Sequence, residues 1–167
     1  MTFTERNKIV NAYPSKDATG ATIATDIISM KNYNHATFII SFGTCHTDAA
    51  TTTNLIAYKG EDVTTCATAF ACHYRAELDA TADTLGALTT LSVTGIALGA
   101  GGDEDIGTGG GFLVVEIDAT DLAPTAANPY DTIKLGMVWD SYATQMSIVC
   151  VLSEARYAQA SPPTAIV

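Results

Sequence analysis

Gln145-Met146-Ser147-Ile148-Val149-Cys150-Val151-Leu152 decides how this chain is read. Met146, Ile148, Cys150 and Leu152 fall on one side, and Gln145, Ser147, Val149 and Val151 on the other. A period of two is the mark of a strand, and the strongly apolar side needs a core to face. The character changes at Ser153-Glu154-Ala155-Arg156-Tyr157. From Ala158 to Val167 neither period persists, and Pro162 and Pro163 favour extended, polyproline-like geometry. A core strand that runs out into a weakly polar arm suits a subunit that reaches a neighbour. A frayed terminus is the plainer alternative.

Working outward, the same period recurs along the chain. Lys8–Tyr13 forms a first strand closed by Pro14, and Ala21–Met30 a second with a bulge. Lys31–His35 is a polar turn before Ala36–Phe42, which is β-branched, aromatic and ended by Gly43. Asn54–Lys59 precedes a Gly-Glu-Asp turn. Thr68–Leu78 sets Phe70, Cys72 and Tyr74 on one side, and Leu88–Leu98 is interrupted at Gly95. Gly99–Gly111 is a flexible loop, Phe112–Asp118 a nearly continuous apolar strand, and Ala123–Asp131 a loop holding Pro124 and Pro129. Thr132–Trp139 leads into the final strand. No segment sustains a helical period; Ala76–Leu88 comes nearest, as a short helix. The expectation is an all-β fold, a two-sheet jelly-roll sandwich of about eight or nine antiparallel strands. An immunoglobulin-like sandwich fits the strand count but lacks its Cys–Trp–Cys framework, since the single Trp is Trp139. Residues 1–7 read as an N-terminal arm, 8–157 as the sandwich domain and 158–167 as an extended C-terminal arm.

Composition narrows the function. The 167 residues suffice for one domain with a substantial core. Charged residues make up only 16%, so Thr, Ser, Asn, Ala and Gly must cover much of the surface. Such a neutral surface suits subunit contacts. The net charge is −10, with eight scattered Lys and Arg residues. That excludes the basic stripe a nucleic-acid partner needs, but permits docking on a basic protein surface. No run reaches the length of a membrane span and no signal peptide opens the chain. Cys45, Cys66, Cys72 and Cys150 have neither CxxC nor zinc-ribbon spacing and read as reduced thiols in a cytoplasm.

No motif identifies a reaction, and no cofactor or metal is expected. Cys45-His46 and Cys72-His73 pair a thiol with an imidazole, but neighbours on a strand point to opposite faces. Asp103-Glu104-Asp105 offers oxygens for calcium without the ligand rhythm of an EF-hand; a solvated loop tip is simpler. The glycines around it precede a strand, not the helix a phosphate cradle requires. Glu116 and Asp118 share a strand face, as paired hydrolase carboxylates would, or as a polar outer face would. Asp131 and Asp140 bracket a strand as turn residues. His35 reads as a turn or interface residue, with no nucleophile evident beside it.

Three pieces together resemble small head proteins of tailed bacteriophages: Lys31-Asn32-Tyr33-Asn34-His35, Val115-Glu116-Ile117-Asp118-Ala119 followed by Asp121-Leu122, and Leu152-Ser153-Glu154-Ala155-Arg156-Tyr157 with Pro162-Pro163-Thr164-Ala165-Ile166 behind it. The resemblance implies a non-enzymatic virion protein with a jelly-roll fold. It would be a decoration, or cement, subunit on the outside of the capsid. Its partners would be the major capsid protein and further copies of itself, as a homotrimer. Tyr33, His35, Arg156, Tyr157, Pro162, Pro163 and Ile166 are the expected contact residues. A fibre module that binds host carbohydrate through Tyr, Trp139 and the acidic loop is the alternative. The Cys-rich strands and the Gly-rich loop lie outside the resemblance.

Overall fold

A computed structural model describes residues 2–17, 20, 22–43, 53–78, 84–99, 102–104, 110–138 and 145–156. In chain order the elements are α1 (Phe3–Arg6), β1 (Lys8–Asp17), β2 (Thr22–Ala24), β3 (Ile28–Ser29), β4 (Tyr33–Phe42), β5 (Thr53–Gly60), β6 (Thr68–Ala69), β7 (Cys72–Glu77), β8 (Thr89–Leu91), β9 (Ile96–Leu98), β10 (Gly111–Asp118), β11 (Thr132–Val138) and β12 (Gln145–Ala155). Two antiparallel sheets pack as a jelly-roll-like sandwich. Sheet A has the order β1-β12-β4-β10-β7-β8. Sheet B has the order β2-β11-β5-β6, with β3 also on β11 and β9 also on β5. Most connections cross from one sheet to the other, which carries the chain around a single core.

The period-two segments supply that core. Phe38, Ile40, Leu113, Val115, Ile117, Ile148, Cys150 and Leu152 from sheet A are fully buried against Leu55, Ala57, Ile133 and Leu135 from sheet B. β12 lies between β1 and β4, in register from Lys8↔Leu152 on one side and Met146↔Phe42 on the other. The last long strand therefore joins the first strand to the middle of the sheet.

Four local features differ from the sequence expectation, each for a tertiary reason. Residues 3–6 form one helical turn beside β1 and β12 in place of an extended arm, with the Glu5 carboxylate accepting the Thr2 amide. Leu88–Leu98 is not one strand: β8 joins β7 in sheet A, and β9 joins β5 in sheet B. Gly95 makes that crossing, at φ +85 with Leu55 O only 2.5 Å from where a Cβ would stand, so only glycine fits. Thr68–Leu78 likewise divides, β6 pairing with β5 and β7 with β10. Short pieces of this kind bring the named strands to twelve, against the eight or nine expected.

The bulge expected in Ala21–Met30 is real, and it falls between β2 and β3. There Leu135 N–H donates to Thr25 Oγ1 at 3.0 Å, while Thr25 N–H donates to Leu135 O at 3.0 Å. The hydroxyl thus takes the place of a missing ladder carbonyl and donates onward to Asp26 O. The Asp26 amide then reaches Ala12 O on β1, tying sheet B to the edge of sheet A.

The edges of the sheets are guarded. β1, the long edge, carries Pro14, which has no N–H, and its register shifts twice, between Asn11 and Tyr13 and between Tyr13 and Lys16. The other edge strands are two or three residues long. These edges are poor templates for an added strand.

Two measurements follow. Thr25→Val keeps the shape but leaves the buried Leu135 N–H without an acceptor. Urea denaturation should show a loss of about 1–3 kcal/mol, and an unchanged midpoint would remove Thr25 from the ladder. In the Gly60–Thr65 turn, Asp62 Oδ1 accepts the amides and hydroxyls of Thr64 and Thr65 at 2.7–3.0 Å. These bonds, those of Thr64 first, lower its pKa from 3.8 to about 2. A depressed carboxylate stabilises above its unfolded pKa and loses that contribution as pH falls through the folded one. The melting-temperature gap between the wild type and Asp62→Asn should be open at pH 6 and close between about pH 4 and pH 2.

A candidate interaction surface at one end of the sandwich

The three pieces that carry the resemblance are far apart in sequence, and the fold brings their described parts to one end of sheet A. β4 opens there, β10 finishes there and β12 finishes there, with His35 opposite both Asp118 and Ser153 and with Tyr33 opposite Ala155. Hydrogen bonds then lock the connecting turns together. Ala119 N–H donates to Asn34 O at 2.7 Å, and Arg156 N–H to Asn32 O at 2.9 Å. Arg156 Nε–H donates to Asn34 Oδ1 at 3.0 Å. Asp121 Oδ2 accepts the Asp118 amide at 2.9 Å and closes the turn that follows β10.

Both non-glycine residues with left-handed backbone, among the described residues, sit at this end. They are Ala123 at φ 43 and Glu154 at φ 54. Such conformations cost an L-residue and persist where surrounding structure fixes them. Glu154 bends the end of β12 so that the Arg156 amide reaches the 31–34 turn.

A cavity of about 210 Å³ opens beside these turns, lined by Met30, Leu122, Pro124, Pro129, Tyr130 and Arg156 among others. Two of its lining residues, Leu122 and Tyr130, are held by Lys59, on the inward side of β5. Lys59 Nζ donates to Leu122 O at 2.7 Å and lies 4.6 Å from the Tyr130 ring centroid and 5.6 Å from that of Phe70. Partial burial lowers the pKa of this ammonium, and the aromatic faces offset some of the lost hydration. The sequence signalled the loop through Pro124 and Pro129. It held no sign of Lys59 or Tyr130, because only the pairing of β5 with β11 brings them together.

The expected contact residues fare differently. Arg156 is exposed, with one nitrogen engaged by Asn34 and the guanidinium's other donors bonded to no described residue. His35 is half-buried, and its Nδ1–H donates to Asp118 Oδ1 at 2.7 Å. Tyr33 does not belong with them: it is 1% exposed, packed in the core, and burial raises its phenol pKa. The inward alternation of β4 slips between Tyr33 and Ala36, so the Tyr33 ring faces the core and is unavailable to a partner. Tyr157, Pro162, Pro163 and Ile166 lie outside the described residues.

The other chemical candidates separate. Ser153, His35 and Asp118 stand side by side on β12, β4 and β10, the residue types of a nucleophile relay. Register supplies the serine that sequence reading did not find. Only the His35–Asp118 half is hydrogen-bonded, and Asp118 stands on an open sheet face with its side chain 61% exposed. Glu116 shares that face, opposite Thr37 and His73. Cys72 is buried and its thiol pKa rises to about 12, chiefly by burial, while His73 is exposed on the opposite face. Asp103 accepts the Ala97 amide at 2.9 Å and Glu104 accepts the Tyr74 hydroxyl at 2.8 Å, so two of the three loop acids are engaged internally. Cys45-His46, Asp105, Trp139 and Asp140 lie outside the described residues. Among the described residues no cluster of three or more His, Cys, Asp or Glu is placed to hold a metal, and no helix is long and apolar enough to cross a membrane.

No family model matches this sequence, and none of the curated proteins does. Among solved structures, the chain is similar to the SPBc2 prophage-derived protein YomS at a TM-score of 0.42 and 7% identity, over 89% of this chain and 93% of that one. It is similar to a structure of the infectious bursal disease virus Gx strain at a TM-score of 0.41 and 13% identity, over 93% of this chain and 34% of that one. Likeness at this level carries no argument about what the protein does.

The strained end of β12 gives a direct test. Glu154→Gly relieves a left-handed cost of roughly 1–2 kcal/mol and adds about 0.5–1 kcal/mol of unfolded-chain entropy. Thermal denaturation should show a net gain of about 0.5 kcal/mol. A loss would mean that the Glu154 side chain holds a contact of its own.

Proposed function

We propose that this chain is a structural protein of a tailed-phage virion, a decoration subunit that binds the outside of the head and strengthens contacts between major capsid proteins. One observation supports the reading above the others. The described parts of the three sequence pieces that resemble phage head proteins assemble into a single surface, hydrogen-bonded turn to turn and headed by Arg156. Such a surface, with a cavity large enough for one side chain and a charged guanidinium beside it, fits a protein partner. The guarded sheet edges direct that contact to loops and faces. The acidity of the chain, at −10, favours a basic patch on the shell.

In this reading the protein works by binding alone and turns over no substrate. Residues beyond Tyr157 extend the contact: once the Arg156 surface is docked, a tethered segment meets a second patch at high effective concentration. Further copies of the chain on the shell are its other partners.

Co-sedimentation with purified head shells tests the proposal. Arg156→Ala should weaken shell binding roughly tenfold, and a chain ending at Tyr157 should lower the temperature at which decorated shells open. Unchanged binding and shell stability in both variants would sink the proposal. Calcium-dependent capture on a glycan array would instead favour the carbohydrate-binding alternative.

A further inference from the structure

The outward side of sheet A carries six large apolar side chains where a solvent-facing sheet is ordinarily polar. Strand pairing places Val149, Ile39 and Val114 in one cross-strand row over β12, β4 and β10. Ile9 and Val151 pair in the adjacent row, and Phe112 stands at the opposite corner. Ile9 and Phe112 are 49% and 47% exposed, and the other four are half-buried. Between them lie Asn11, Thr37, Ser41 and Ser147, none of them charged. Among the described strand residues, the ionisable groups in this middle part of the face lie along β10 and β7, as Glu116, His73, Arg75 and Glu77.

We propose that this face is where a second copy of the chain packs, sheet A against sheet A, in a two-fold contact. Charge selects the occupant. Two chains of −10 each repel wherever their surfaces meet, except across a patch without charge. The β1–β12–β4 part of the face is such a patch, and the β10–β7 strip beside it carries both signs, so it does not oppose a like copy. Shape agrees: a sheet face is matched by another sheet face, their side chains interdigitating at about 10 Å between layers. Size agrees as well. Five strands about 4.8 Å apart and eight residues long cover roughly 600 Å², of the same order as the ~800 Å² that each partner contributes to a stable interface. Val and Ile have few rotamers to lose, which lowers the cost of burying them against a partner. The inference does not rest on the virion reading, and its two-fold symmetry replaces the homotrimer that the family resemblance implies.

Sedimentation velocity on the full chain over roughly 1–100 µM tests it. The wild type should be a dimer. Val149→Glu should raise the dissociation constant about thirtyfold or more, and the isosteric Val149→Thr, which holds the strand, roughly tenfold. Val93→Glu, in the exposed turn between β8 and β9 and away from the face, should leave association unchanged. A monomeric wild type would overturn the proposal and assign the face to another protein or to a segment of its own chain. So would an oligomer indifferent to both Val149 variants. Shell binding by a monomeric wild type would end this inference and leave the virion reading standing; a dimer that ignores shells would do the reverse.

Discussion

Everything in this molecule depends on the insertion of β12 between β1 and β4. That one strand satisfies the backbone of the first strand and of the most central one, and it presents Met146, Ile148, Cys150 and Leu152 to the core. Its loss would leave Val10, Ala12, Phe38 and Ile40 facing a gap, with two rows of amides unpaired. The pairing spans almost the whole chain, so the loop-closure entropy is met late and folding is expected to be slow. The same insertion fixes the candidate surface, because the Arg156 side chain is placed only once β12 has found its register beside β4.

The core was legible in the sequence because its signal is local. Gln145–Leu152 alternates on its own, and its apolar side, Met146, Ile148, Cys150 and Leu152, is buried; in the strand read at Ala36–Phe42, every second residue from Ala36 is buried. What was not legible is which sheet a segment joins. Leu88–Leu98 and Thr68–Leu78 each keep a strand-like pattern across a point where the chain changes layer, since a period of two looks the same in either sheet. Gly95 marked one crossing, and nothing in the side-chain pattern marked the other.

The candidate surface was half legible. The described parts of the pieces flagged at the sequence level converge, and Arg156 is exposed among them. Tyr33 was misplaced because a Tyr between two asparagines reads as a turn residue, whereas it opens β4 and, by a slip in that strand's alternation, faces the core. Lys59, Tyr130 and Ser153 gained their roles from register alone. The apolar outer face of sheet A had a local trace in the near-continuous Phe112–Asp118 run, but a run apolar on both sides does not say whether its second face is covered by its own chain or another.

The irregular first strand has a consequence for life in a crowd. Proteins gathered on a regular lattice reach local concentrations at which any open run of amides becomes a template for fibril growth. Pro14 and the two register shifts of β1 deny that template on the longest free side of the sandwich. Crowded copies of this chain therefore find no open backbone on that side along which to propagate.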